Sequence, residues 1–328
     1  MKVLVYNYRE FDEKRWFDKY SKELGIELKI CEQAPKMGEN IELARGCDCL
    51  SIITSKIPSE MVTAFHECGI RYISTRTIGY DHIDLARAKE LQIGVGNAVY
   101  PPEGVADYTI MLMLMCIRRM KRIMQRAEIQ DFSLKGNEGR ELHDFTVGVI
   151  GTGRIGQTVI KQLRGFGCKI LAYDPFENEA VKENATYVPL EVLLSESDLI
   201  TLHAPLFEEN FHLINEESIA KMKDGVVIIN TARGGLIDSK ALIAGIESGK
   251  IAAAGLDVVE QEFGLYYNDL KSEVLENRDL AILRSFPNVI VTPHMAFYTD
   301  NAIEGMVKNS LLSCKCFMEG KENPWRVI

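Results

Sequence analysis

The stretch VGVIGTGRIGQ, residues 147–157, limits the possible folds of this chain more than any other. An apolar run passes directly into G-x-G-x-x-G, formed by Gly151, Gly153 and Gly156. A strand that turns sharply into a helix needs this pattern. The first glycine permits the tight turn, the second lets backbone approach a pyrophosphate, and the third lets helix and strand pack closely. The helix, expected over about Arg154–Phe166, then offers N–H groups and a positive dipole end to phosphates. In most nucleotide-binding folds such a strand comes first. Here it begins at residue 147 of 328, with enough chain before it for another domain.

The flanking sequence explains the position. Before the fingerprint, residues 2–6, 27–31, 49–53, 71–75 and 93–97 read as strands, with helices over 59–68 and 85–90. After it, 146–150, 169–173, 199–203, 226–230, 251–257 and 289–293 read as strands, most of them separated by helices. Such βαβ alternation predicts parallel sheets covered by helices. Pro101–Pro102 breaks the first series, and a single long helix is expected from about Glu103 to Glu128. Its basic run RRMKR (118–122) is expected to be a solvated helix end. One amphipathic helix, about 299–319, remains at the end. The expected fold is α/β, with two doubly wound parallel-sheet domains. A Rossmann domain, residues 101–298, is inserted into a domain made of 1–100 and 299–328. A cleft between them is the expected place for a small ligand.

Charge and composition exclude several classes. The chain is 46% hydrophobic and 26% charged, with a formal net charge of −9. An acidic surface disfavours nucleic acid and anionic membranes as partners. The longest apolar run, Thr109 to Ile117, is about half of a membrane span of roughly 20 residues. The N-terminus turns polar after five residues, so no export signal is expected and the expected location is cytoplasmic. The eight cysteines are then expected as reduced thiols packed like small apolar side chains. The pairs Cys47/Cys49 and Cys314/Cys316 have C-x-C spacing, not the C-x2-C of zinc sites, and no metal is expected.

Asp174 ends the strand after the fingerprint helix, 18 residues beyond Gly156. Its carboxylate suits adenosine ribose hydroxyls and repels a 2′-phosphate, which points to NAD over NADP. Ligands in open α/β sheets sit beyond the carboxyl ends of strands, and three polar residues stand there. Arg233 follows strand 226–230, Glu262 follows 251–257, and His294 follows 289–293. They suit hydride transfer to a 2-oxo acid. An arginine fork holds a carboxylate and polarises a carbonyl, a histidine gives the carbonyl oxygen its proton, and a carboxylate orients the histidine. Spacing alone does not bring the three together.

In their order and spacing, VGVIGTGRIGQ, INTARGGLID, the acid after GLDV, and TPH resemble the signatures of the D-isomer-specific 2-hydroxyacid dehydrogenases. Within that family RYISTRTIGYDHID (71–84), VADYTIMLML (105–114) and RGFGCKILAYDP (164–175) are most similar to D-lactate dehydrogenases, including the vancomycin-resistance type. The resemblance implies a flavodoxin-like substrate domain around the NAD-binding one, and a homodimer built through the helix after Pro102. It implies reversible NADH-dependent reduction of a 2-oxo acid, pyruvate first, to the D-2-hydroxy acid. Phenylpyruvate or 2-oxoisocaproate is the alternative substrate, and an NADH-sensing corepressor-like binding protein is the alternative class. His294 would be the acid–base group, Glu262 its partner and Arg233 the substrate anchor. The backbone at Ile78 and Gly79 would hold the substrate carboxylate, with Tyr100 and Tyr298 lining the pocket. Arg154 and Ile155 would meet the pyrophosphate, and His203, Pro205, Thr231, Ala232 and Asp257 the nicotinamide side. Pro101–Pro102 departs from the family's commoner Ser-Pro after the tyrosine. The loop GLYYNDL (264–270) is unusually rich in tyrosine, so both features bear on substrate preference.

Overall fold

Among the residues described by this computed structural model, 1–262 and 264–328, twelve strands form two separate sheets, and every strand pairing is parallel. They belong to two units, Met1–Pro101 with Tyr298–Ile328, and Pro102–Phe297.

In the first unit the strands are β1 (Lys2–Val5), β2 (Glu27–Ile30), β3 (Cys49–Ile52), β4 (Tyr72–Thr75) and β5 (Gly94–Gly96), in the order β2-β1-β3-β4-β5. This is the flavodoxin-like order. The central strands β3 and β4 are buried along their whole length, as parallel strands covered on both faces must be. The helices α1 (Glu10–Leu24), α2 (Ser59–Glu67) and α3 (Leu85–Glu90) connect them. Gly25, at φ 66°, supplies the left-handed residue that ends α1. A buried ion pair fastens α1 to the sheet. Arg76 Nε donates to Glu13 Oε1 at 3.0 Å, and its other nitrogens donate to the carbonyl oxygens of Ser51 and Tyr6, both at 3.0 Å.

The second unit holds β6 (Thr146–Ile150), β7 (Lys169–Tyr173), β8 (Thr186–Tyr187), β9 (Leu199–Leu202), β10 (Val226–Asn230), β11 (Ile251–Leu256) and β12 (Val289–Val291). Their order is β12-β11-β10-β9-β6-β7-β8. The direction of winding reverses between β6 and β9, so the fingerprint at the end of β6 stands at the switch point where such sheets bind ligands. One face is covered by α4 (Glu103–Ile117), α6 (Arg154–Leu163) and α7 (Glu179–Lys182), with α5 (Met120–Glu128) packed beside α4. The other is covered by α8 (Leu190–Glu196), α9 (Glu216–Lys221), α10 (Ser239–Glu247) and α11 (Arg278–Ser285).

The single helix expected over 103–128 is two helices. Arg119 adopts φ 55°, a left-handed residue that breaks α4 from α5. Of the basic run beside it, Arg118 and Arg119 stand exposed at the end of α4, as expected, but Lys121 does not. Lys121 Nζ donates to the carbonyl oxygens of Arg284 (2.9 Å), Phe286 (2.7 Å) and Val289 (2.8 Å), clamping α5 onto the segment between α11 and β12. The strand β8 was also unforeseen, since its two residues form no apolar run.

The last helix, α12 (Asp300–Met318), returns to the first unit. Val307, Leu311 and Cys314 join the core formed by α1 and the first sheet, and Ser310 and Ser313 bond Ser51 and the hydroxyl of Tyr72. Beyond α12 the chain runs beside β5. Asn97 N donates to Trp325 O (3.0 Å), Val327 N to Val95 O (2.8 Å), and Val95 N to Ile328 O (3.3 Å). Among the described residues no helix is long and apolar enough to cross a membrane.

Candidate active site

The fingerprint glycines show why no other residue serves. A Cβ on Gly156 would lie 2.0 Å from Gly151 O, and one on Gly151 would lie 2.5 Å from Ala204 N. Gly153, which precedes α6, faces open space. A group with phosphate's bulk and charge fits there, against the first N–H groups of α6, where Arg154 and Ile155 stand. Asp174 follows β7, and its Oδ2 accepts from Thr152 N at 2.7 Å, which fixes the carboxylate beside the glycine turn. His203 follows β9. Its Nε2 bonds Thr201 Oγ1 at 2.9 Å, while its buried Nδ1 has no partner among the described residues. Burial pulls its pKa down to about 3, so the ring is neutral at working pH. Pro205 O accepts from Asn210 Nδ2, Thr231 Oγ1 bonds Thr109 Oγ1 at 2.8 Å, and Ala232 N donates to Asn230 Oδ1 at 3.0 Å.

Arg233, Glu262 and His294 follow β10, β11 and β12, three adjacent strands of one sheet. The structure brings two of them into contact: His294 Nδ1 bonds Glu262 Oε1 at 2.8 Å. This leaves Nε2 as the nitrogen that can exchange a proton with a substrate. Glu262 Oε2 accepts from Val259 N at 3.2 Å. The turn that presents Arg233 is tied down by Asn230, whose Nδ2 donates to Arg233 O at 2.9 Å.

His294 sits at φ 52°, a left-handed conformation that needs external support. Asp257 provides it. Its oxygens accept from Thr292 Oγ1 (2.6 Å), Met295 N (2.8 Å) and Ala296 N (2.8 Å), and His294 N donates to Asp257 O (2.8 Å). Burial raises the Asp257 pKa against the pull of these donors. The sequence marked Asp257 only as a residue near the cofactor.

Two aromatic residues join the site that sequence reasoning did not assign to it. Tyr267 Oη donates to His294 O at 2.9 Å, and its ring stands 6.4 Å from the imidazole and from Phe297. Phe297 meets the imidazole edge-on at 6.2 Å. The tyrosine-rich stretch 264–270 was the available signal; nothing in spacing aims Tyr267 at His294.

Ile78, Gly79, Tyr100 and Tyr298 belong to the first unit. Ile78 O accepts from Asn97 Nδ2 and Gly79 O from Thr77 Oγ1, which shapes that turn. Tyr298 Oη donates to Asp12 Oδ2 at 2.9 Å. Tyr100 packs on α12 at Gly305, where a Cβ would lie 3.1 Å from the Tyr100 Cβ.

The family model for the NAD binding domain of D-isomer specific 2-hydroxyacid dehydrogenases matches residues 110–296. The chain belongs to the D-isomer-specific 2-hydroxyacid dehydrogenases. This dehydrogenase is 45% identical to an aromatic 2-oxoacid reductase of Clostridium sporogenes, over 97% of this chain and 96% of that one. It is 36% identical to a D-lactate dehydrogenase of Escherichia coli over the full length of both. A solved D-isomer specific 2-hydroxyacid dehydrogenase from Lactobacillus delbrueckii ssp. bulgaricus, in NAD-complexed form, superposes with TM-score 0.83 at 30% identity, over 100% of each chain. The dehydrogenase thus uses NAD, and its own residues fit the group: the open side of Gly153 and the unpartnered Nδ1 of His203 both belong to the cofactor-binding half.

Proposed function

We propose that this NAD-dependent D-2-hydroxyacid dehydrogenase works chiefly on 2-oxo acids with a large apolar side chain, phenylpyruvate foremost. The observation that carries the reading is the pair of rings, Tyr267 and Phe297, set against His294. Aromatic rings favour edge and offset contacts with another ring, and an anchored tyrosine loses little freedom when a substrate ring arrives. The 45% identical aromatic 2-oxoacid reductase supports the same reading. A second reading, pyruvate as preferred substrate, has the support of the D-lactate dehydrogenase matched over its full length.

The reaction needs few protein groups. Bound NADH supplies the hydride. Arg233 is assigned the substrate carboxylate and carbonyl, which its planar fork binds in one orientation. His294 Nε2 gives its proton to the carbonyl oxygen, and Glu262, bonded to Nδ1, stabilises the imidazolium before transfer and fixes the ring. In the oxidative direction the same nitrogen takes the proton back. Ile78, Gly79, Tyr100 and Tyr298 are assigned to the substrate. The cofactor is assigned Gly151, Gly153, Arg154, Ile155, Gly156, Asp174, His203, Pro205, Thr231, Ala232 and Asp257.

The proposal includes a homodimer joined through the outer face of α4, where Met111, Leu114 and Met115 line an apolar groove with Phe166. It also includes a cytoplasmic location, which suits the buried thiols of Cys47, Cys49, Cys68, Cys116 and Cys314.

The test is NADH oxidation with phenylpyruvate, 2-oxoisocaproate, 2-oxobutyrate and pyruvate in parallel. A kcat/KM at least tenfold higher for phenylpyruvate than for pyruvate is expected. The reverse order would hand the function to the pyruvate reading.

A further inference from the structure

Two residues before Glu262, a second carboxylate holds a second histidine. Glu260 Oε1 bonds His212 Nε2 at 2.7 Å. Glu260 Oε2 accepts from the N–H of Ser239, the first residue of α10, at 2.9 Å. The carbonyl oxygen of Glu260 accepts from Nδ2 of Asn277, the cap of α11, at 3.0 Å. One residue thus ties the turn after β11 to three other segments.

His212 is itself held in place. Its φ of 54° is left-handed, its N–H donates to Gly235 O at 2.9 Å, and its ring stacks on Phe211 at 3.9 Å. Asp238, the cap of α10, places Oδ2 4.0 Å from His212 Nδ1. Gly235 lies two residues after Arg233. Between them, Gly234 has no room for a side chain: a Cβ would lie 2.1 Å from Val259 C and O and 2.6 Å from Glu260 N. The Arg233 turn and the turn that carries Glu262 therefore touch backbone to backbone. The His212–Glu260 pair ties the turn that carries Glu262 to the His212 segment, which is itself bonded to the Arg233 turn through Gly235 O.

We propose that Glu260 and His212 are positioning residues of the dehydrogenase reaction. They hold residues 258–262 against the Arg233 turn, and so set Glu262 on His294 Nδ1 and keep Arg233 in register with both. The proposal rests on the catalytic assignment of Arg233, Glu262 and His294 above. Neither residue needs to meet substrate. Their effect passes through Glu262, and reacting geometry is steep: displacement by about 1 Å costs on the order of a hundredfold in rate.

The test uses the full-length protein and three variants, Glu260→Ala, Glu260→Gln and His212→Gln. The readouts are kcat, KM, the NADH dissociation constant from cofactor fluorescence, and the pH profile of 2-oxo acid reduction. The carboxylates facing His294 are Glu262 and, from the end of β11, Asp257. Displacing Glu262 weakens its hold on the imidazolium, so the alkaline limb of the profile moves to lower pH. Glu260→Ala and His212→Gln are expected to lower kcat about tenfold or more, move that limb down, and leave NADH affinity within about twofold. Glu260→Gln, which keeps the length and one acceptor oxygen, should recover most of the rate. In a Glu262→Gln background, Glu260→Ala should move the limb no further.

An unmoved limb in the variants overturns the proposal, even if their melting temperatures fall, because it leaves only a structural role. So does a shift that persists without Glu262. If Glu260→Ala does not fold, His212→Gln carries the same comparison. Absence of 2-oxo acid turnover by the unaltered protein would instead sink the catalytic reading, and this proposal with it.

Discussion

At the scale of single residues, the site is a set of groups held in unfavourable conformations by their neighbours. His294 is the clearest case, left-handed and fixed by Asp257, Glu262 and Tyr267. Replacing it by glutamine removes the proton donor and keeps the size. Turnover should fall about a hundredfold to ten-thousandfold, with the NADH dissociation constant unchanged in a fluorescence titration; lost NADH binding would mark His294 as structural. His203 gives a different signature. Its neutral form is the one folded into the protein, with the pKa down at about 3. Between that value and the ordinary 6.5 the unfolded chain binds the extra proton, so stability falls as pH falls. The slope from this residue is up to about 1.4 kcal/mol per pH unit. Urea melts at pH 7 and pH 5 should show a steeper loss for the wild type than for His203→Asn. The glycine fingerprint and the three polar strand ends were legible in the sequence because each sits where a strand stops. The His294–Glu262 bond was not, since 32 residues separate the partners and only the fold closes that gap. The same holds for His212 and Glu260, 48 apart and without any periodic relation.

At the scale of elements, patterning located the strands well where apolar runs were clean. Thr146–Ile150 and Lys169–Tyr173 begin and end where the sequence placed them. It failed where a tertiary contact overrode local preference. Nothing near Arg119 signals a helix break, because neither glycine nor proline is present. The break follows from the return of Lys121 onto three carbonyl oxygens. A half-buried ammonium so fully used reads, in sequence, like any basic run. Its pKa is lowered by burial, and the like charge of Arg284 pulls the same way. Lys121→Met keeps the stem and strands the three acceptors. It should cost about 1–3 kcal/mol in a denaturant melt, and a value near zero would show that water replaces the ammonium freely.

At the scale of the whole molecule, the two units differ in how they depend on chain continuity. The second is one uninterrupted stretch, Pro102–Phe297, with its own two-faced core. The first is built from both ends of the chain, and α12 supplies Val307, Leu311 and Cys314 to its interior. A fragment of residues 102–297 should fold and bind NADH within about tenfold of the full protein's affinity, measured by fluorescence. A fragment of residues 1–101 should lack a cooperative melt, and adding a peptide of residues 298–328 should restore it. Failure of the first fragment to bind NADH would mean that the cofactor-binding half needs the other. In the sequence, the late position of the fingerprint, the strand series on either side of it and the single helix left at the end together suggest the insertion.

The path of the final residues beside β5 has a consequence of its own. A parallel sheet that ends in a bare strand offers its amide groups to any other chain able to align with them. Here the groups of Val95 and Asn97 are already taken by Trp325, Val327 and Ile328. The chain guards its own border, and trimming those few residues would turn that border into a template on which copies could stack into fibres.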